Sequence, residues 1–167
     1  MGVEVGPCRH VVYELRLEIA APRDVVWATL CDTASWWLRE FRMVEGSTGP
    51  ILEPHAGGRF YEKGSNGAEL LWFHVSWITP PKSLELAGTI SPPFGGPAST
   101  LVHVRLAEAD GGRSTTLVLR DHLFGNVEDK MVASLESGWI SLFRDGLKAH
   151  VEKRAAPPAQ GAPPRKA

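Results

Sequence analysis

The order of elements along the chain predicts an α+β fold: a curved antiparallel sheet of six to seven strands wrapped round one long C-terminal helix, with two short helices after the first strand. Three observations carry this. A strand and two helical segments open the chain, a run of strands separated by turns follows, and the last long stretch has helical periodicity. Helices set apart from consecutive strands leave no parallel crossovers, so the sheet is antiparallel.

Tyr13, Leu15, Leu17 and Ile19 alternate with Glu14, Arg16, Glu18 and Ala20, the period-two pattern of a strand with one buried and one wet face. Pro22 suits the first turn of a helix because its missing N–H would have no partner there, and Asp24 complements the positive end of the helix dipole. A helix is therefore expected from Pro22 to Cys31, with Val25, Val26, Trp27 and Leu30 as its apolar stripe. Asp32 or Thr33 can cap a second short helix carrying Trp36, Trp37 and Leu38.

The segment Met43 to Glu53, broken by Gly46, Gly49 and Pro50, admits one short strand at most. Arg59 to Lys63 reads as a strand, Ser65-Asn66-Gly67 as a hairpin turn because Asn and Gly tolerate positive φ, and Glu69 to Ile78 as the return strand. Strict parity along that strand puts Leu71, Phe73, Val75 and Trp77 on one face and Trp72, His74 and Ser76 on the outer one. An outward Trp72 would be a contact for a homodimer. Thr79-Pro80-Pro81-Lys82 breaks the chain, and Ser83 to Ile90 forms the next strand. Ser91 to Ser99 is a Pro/Gly-rich loop with Phe94 at its middle, positioned to close over something. Thr100 to Glu108 and Ser114 to Leu123 pair across the turn Asp110-Gly111-Gly112. From Val127 to Lys153 no proline intervenes, and Met131, Leu135, Trp139, Leu142, Phe143 and Leu147 recur at steps of three and four.

Composition narrows the function. A chain of 167 residues with 43% apolar content fits one domain with a sizeable core, here spanning 10–154 between a loose segment 1–9 and a Pro/Ala-rich disordered tail 155–167. A net charge of −1 with interleaved acids and bases gives no polyanion footprint, so nucleic acid is not an expected partner. The apolar runs are too short for a membrane span, and Met1 to His10 lacks the apolar core of a secretory signal, which points to a cytoplasmic protein. Cys8 and Cys31 have no CxxC or His partner, and the histidines lie on separate elements without an i, i+4 pair, so neither a metal nor another cofactor is expected. Hydrolase serine, zincin, phosphate-loop and dinucleotide motifs do not occur.

Ala21-Pro22 with Val25-Val26-Trp27, the pair Trp36-Trp37, Gly57-Gly58-Arg59-Phe60, Pro80-Pro81 with Leu84, Thr115 to Leu119, and Gly138-Trp139 occur in an order that resembles the START-like superfamily, also called SRPBCC or helix-grip. Within it the chain resembles the branch related to the activator of the large heat-shock ATPase, over roughly residues 10 to 153. The superfamily includes lipid carriers, polyketide cyclases, hormone receptors and co-chaperones, so the resemblance implies a pocket rather than a reaction.

The expected site is a largely apolar pocket between sheet and C-terminal helix, lined by Trp37, Phe60, Phe73, Val75, Leu86, Val102, Leu119, Met131, Leu135 and Trp139. Asp121 has the inward parity of Leu117 and Leu119 and Glu62 that of Phe60, which makes them the candidate polar or catalytic groups. Against this, Asp121 could instead serve as a backbone acceptor near the strand end, and Glu62 could be solvated at the hairpin. The leading functional expectation is binding of a small hydrophobic or aromatic molecule. A polyketide cyclase or dehydrase-like enzyme with a pocket carboxylate as acid/base is the first alternative, and a chaperone-ATPase interaction module the second.

Overall fold

The computed structural model describes residues 2, 3 and 5–155, so all but the first residue of the Pro/Ala-rich tail lies outside the described residues. The first strand, β1 (Arg9–Ile19), keeps its alternation: Tyr13, Leu15 and Leu17 are half-buried and Ile19 fully buried, while the residues between them are exposed. It does not pair with its neighbour in sequence. It lies antiparallel to the last strand, with Arg9 opposite Gly125 and Ile19 opposite Thr115.

The other strands are β2 (Ile51–Leu52), β3 (Arg59–Lys63), β4 (Glu69–Thr79), β5 (Ser83–Ile90), β6 (Ala98–Ala109) and β7 (Ser114–Gly125), all antiparallel in the order β1-β7-β6-β5-β4-β3-β2. Six of the seven are thus a meander, and β1 closes it at the β7 edge.

Between β1 and β2 run α1 (Arg23–Cys31) and α2 (Thr33–Trp36). Pro22 stands just outside α1 as its N-cap, and Val26, Thr29 and Leu30 form the buried face. Val25 is 43% exposed, a correction to the expected stripe: at about 100° per residue it is turned off the Val26–Leu30 line. No side chain caps α2; the Thr33 hydroxyl instead donates to the Pro50 carbonyl at 2.6 Å, which holds the helix to the segment before β2. Trp36 and Trp37 are both buried, on different sides. Trp36 meets Phe143 edge-on with centroids 5.5 Å apart, and Trp37 meets Phe60 at 5.3 Å and Trp72 at 6.2 Å.

β4 departs from strict parity. Its pairing shifts where Phe60 opposes Phe73 but Tyr61 opposes Leu71, and again where Val75 opposes Leu86 but Trp77 opposes Glu85. Each shift is a bulge that adds one residue to β4 and flips the faces beyond it. Two corrections follow. Trp72 turns inward rather than outward and cannot serve as the homodimer contact, whereas Trp77 is 59% exposed and stacks on His103. Gly88 on β5 makes the first bulge possible: a Cβ there would stand 2.5 Å from the Trp72 carbonyl oxygen and 2.6 Å from the Phe73 ring.

The C-terminal helix runs without a break through α3 (Asp129–Ile140), a π-wound stretch (Ser141–Lys148) and α4 (Ala149–Ala155). Its inward residues Leu135, Trp139, Phe143, Leu147 and Val151 are spaced by four throughout. Four residues of an ideal α-helix overshoot a turn by about 40°, so such a stripe would drift off the sheet. Wider winding in the middle turns it back. Gly146 lets the helix meet α2, since a Cβ there would lie 2.8 Å from the Trp36 carbonyl oxygen.

Candidate ligand cavity

The inward residues of the sheet do not all meet the same neighbour. Under the π-wound stretch Leu84, Leu86, Val102, Val104, Leu119, Phe143 and Leu147 pack into one core. Towards the other end Leu123, Ala98, Val127 and Met131 form a second, smaller cluster. Between these lies a cavity of about 310 Å³, bounded by the loop after α2, β4 around its first bulge, the end of β5, the Phe94 turn and the helix from Leu135 to Leu142.

Of the expected lining, Trp37, Phe73, Leu135 and Trp139 border this cavity. The other six residues do not. Phe60, Leu86 and Val102 border a separate space of only about 30 Å³, Val75 and Leu119 are close-packed in the core, and Met131 belongs to the smaller cluster. Parity identifies the face of a strand but not whether a side chain or a void stands opposite it. The sequence reading missed Phe41, Met43, Leu70, Trp72 and Gly138. Gly138 was legible as a small residue on the helix's inward side; its missing side chain leaves Phe41 as the nearest neighbour, 3.5 Å from where a Cβ would be.

Asp121 sits within β7 rather than at its end, opposite Val102 on β6 and Tyr13 on β1. Its carboxylate borders the cavity at 1% residue exposure. The Thr100 hydroxyl donates to Oδ1 at 2.6 Å and the Trp139 indole N–H to Oδ2 at 2.9 Å, so the group is held by side chains on a neighbouring strand and on the helix, not by turn backbone. Burial raises its pKa above the ordinary aspartate value, and the two hydrogen bonds and His122 offset this only in part.

Glu62 is also inward and fully buried, so it is not solvated at the hairpin, yet it does not border the cavity. Its oxygens accept the Met43 N–H at 3.1 and 3.3 Å, the Val44 N–H at 3.2 Å and the Trp72 indole N–H at 2.9 Å. It fastens the loop after α2, which supplies one wall, to the bulged part of β4, which supplies another.

Phe94 reaches the cavity from a short 3₁₀ turn (Pro92–Phe94) that ends at Gly95 in the left-handed region, φ 94°. A Cβ on Gly95 would also approach the Met131 methyl to 2.9 Å, which ties the turn closely to the helix start. Among the described residues no three His, Cys, Asp or Glu side chains converge as metal ligands, and no helix is long and apolar enough to cross a membrane.

The architecture agrees with the comparisons. The model of the Activator of Hsp90 ATPase homolog 1-like protein family matches residues 20–152, and the chain belongs to that family. Its fold is the helix-grip fold of the START-like (SRPBCC) superfamily. Among solved structures it is similar to protein MLL2253 from Mesorhizobium loti, at 20% identity and a TM-score of 0.59 over 87% of this chain and 98% of that one. CalU16 from Micromonospora echinospora is similar at 22% identity and 0.57, over 90% and 78%. A protein from Rhodobacter sphaeroides is similar at 21% and 0.57, over 89% and 97%. At these identities the likeness concerns the fold. No curated protein matches the chain.

Proposed function

We propose that this protein binds a small aromatic or hydrophobic molecule in the cavity between the sheet and the C-terminal helix. The observation that carries the reading is a space of about 310 Å³ whose wall is chiefly Trp37, Phe41, Trp72, Phe73, Phe94 and Trp139, with one buried carboxylate, Asp121, at its edge. Mostly apolar walls with a few fixed polar groups, at a volume of roughly 300–1,000 Å³, are what a small-molecule site requires.

An acid–base enzyme is the second reading, favoured by the raised pKa of Asp121. Such an enzyme needs a further polar group beside the reacting atom, and the other acid on the wall, Glu40, stands exposed.

Native mass spectrometry of the purified protein with 2-naphthalenemethanol tests the first reading. A one-to-one adduct is expected for the wild type, and none for Gly138→Leu, whose added side chain occupies the cavity from a helical position that tolerates it. An adduct retained in a folded Gly138→Leu protein would place the ligand elsewhere. Recovery of a chemically altered compound from a panel of polyketide-like substrates would favour the enzyme.

A further inference from the structure

The buried part of the cavity is rich in aromatic side chains and carries a carboxylate acceptor, and its side-chain donors are taken up. Each indole N–H on its wall is already committed: Trp37 to the Phe41 carbonyl at 3.1 Å, Trp72 to Glu62 at 2.9 Å and Trp139 to Asp121 at 2.9 Å. The Thr100 hydroxyl is committed too, at 2.6 Å to Asp121, and the remaining hydroxyls on the wall, those of Thr89 and Ser91, belong to exposed residues at its rim. None of the described residues on the wall is Lys, Arg or His, and its ionisable members are the two acids Glu40 and Asp121.

These facts bear on ligand charge in one direction. A buried anion needs donors or a cation, and an unpaired one is strongly disfavoured. A cation is met differently. The faces of Trp and Phe rings attract it through their quadrupole. Two of the three indoles also donate to a buried carboxylate, which pushes electron density into the ring and makes its face more negative. Asp121 uses one acceptance on each oxygen, so lone pairs remain for an N–H donor of the ligand.

Resting on the binding function proposed above, we infer that the cavity selects aromatic or alicyclic molecules bearing a protonated amine, and discriminates against carboxylates of the same shape. The ammonium group sits against the Trp37, Trp72 and Trp139 faces within reach of Asp121, and the apolar part fills the space towards Phe94 and Leu135.

The test is calorimetric titration with three probes that share one ring system: 2-naphthylmethylammonium chloride, 2-naphthalenemethanol and sodium 2-naphthoate, at pH 7. The expected order is ammonium, then alcohol, then carboxylate, with about tenfold or more between the first and the last, since one good cation–π contact alone supplies that factor. Asp121→Asn is expected to weaken the ammonium probe about tenfold and the alcohol far less. If Asp121→Asn does not fold, the order of the three probes on the wild-type protein decides the selectivity by itself. A carboxylate that binds as tightly as the ammonium overturns the selectivity while leaving the binding function standing. Failure of all three to bind overturns both.

Discussion

Glu62 and Asp121 are both buried carboxylates on inward strand positions, and each accepts a tryptophan N–H at 2.9 Å, yet they stand in different regions and have different roles. Glu62 is enclosed by two backbone N–H groups and the Trp72 indole, so both its oxygens are occupied with the wall of the cavity. Asp121 has two side-chain donors and a face towards the cavity. The difference teaches that a buried acid in this fold is diagnosed by the donors around it. Where backbone donors saturate it, the acid holds loops together; where they do not, it is left open to a ligand.

The largest effect expected from breaking this contrast is at Glu62. Glu62→Leu leaves three partly buried donors without an acceptor and should cost about 3–5 kcal/mol in chemical denaturation, with probe binding lost as the wall loosens. A cost below about 1 kcal/mol would mean that the loop after α2 is held by other means. Next is Trp139→Phe, which keeps most of the ring but removes the donor to Asp121. About 1–3 kcal/mol is expected in the same measurement.

Asp121→Asn sharpens the contrast through pH. Because the native carboxyl has a raised pKa, the folded state binds more protons than the unfolded one between the ordinary value of 3.8 and the raised value. Wild-type stability therefore falls as pH rises through that window and is regained as pH falls, the opposite of an acid held ionised by a salt bridge. The amide can present its oxygen to Trp139 and its NH₂ to the Thr100 oxygen. The melting temperature of Asp121→Asn relative to wild type should thus rise from pH 4 to pH 7; a flat difference would show that burial does not disfavour the charge. The smallest effect is expected on the outer sheet face, where Trp77→Ser should change stability by less than about 0.5 kcal/mol and leave probe binding unaltered.

Most of the fold was legible because β5, β6 and β7 obey strict alternation: Leu84 and Leu86, Val102 and Val104, Leu117 and Leu119 all point where parity puts them. Asp121 was located by the same parity. β4 was not legible, since Leu70-Leu71-Trp72-Phe73 is an unbroken apolar run in which no alternation marks the bulge. Its sign lay on the neighbouring strand, in Gly88, an interior strand glycine that admits the displaced backbone of Trp72. The cavity was legible as a consequence of the fold but not in its position. Val75, Val102 and Leu119 face inward like Phe73, but the helix and α2 fill the space opposite them, and only the three-dimensional path of the loop carrying Phe41 and Met43 leaves the other end open. Glu62 was misread because its partners, the backbone N–H groups of Met43 and Val44, carry no residue-type signal.

The central claim is that a ligand lies in the cavity beside Asp121 and meets Trp37, Trp72 and Trp139. The six tryptophan indole N–H groups report on this one by one. A two-dimensional ¹⁵N spectrum, assigned by single Trp→Phe variants and titrated with 2-naphthalenemethanol, should show saturable shifts for the indoles of Trp37, Trp72 and Trp139, with those of Trp27 and Trp77 stationary. Saturable shifts of Trp77 with the three cavity indoles unmoved would contradict the account and place the binding surface on the outside of the sheet.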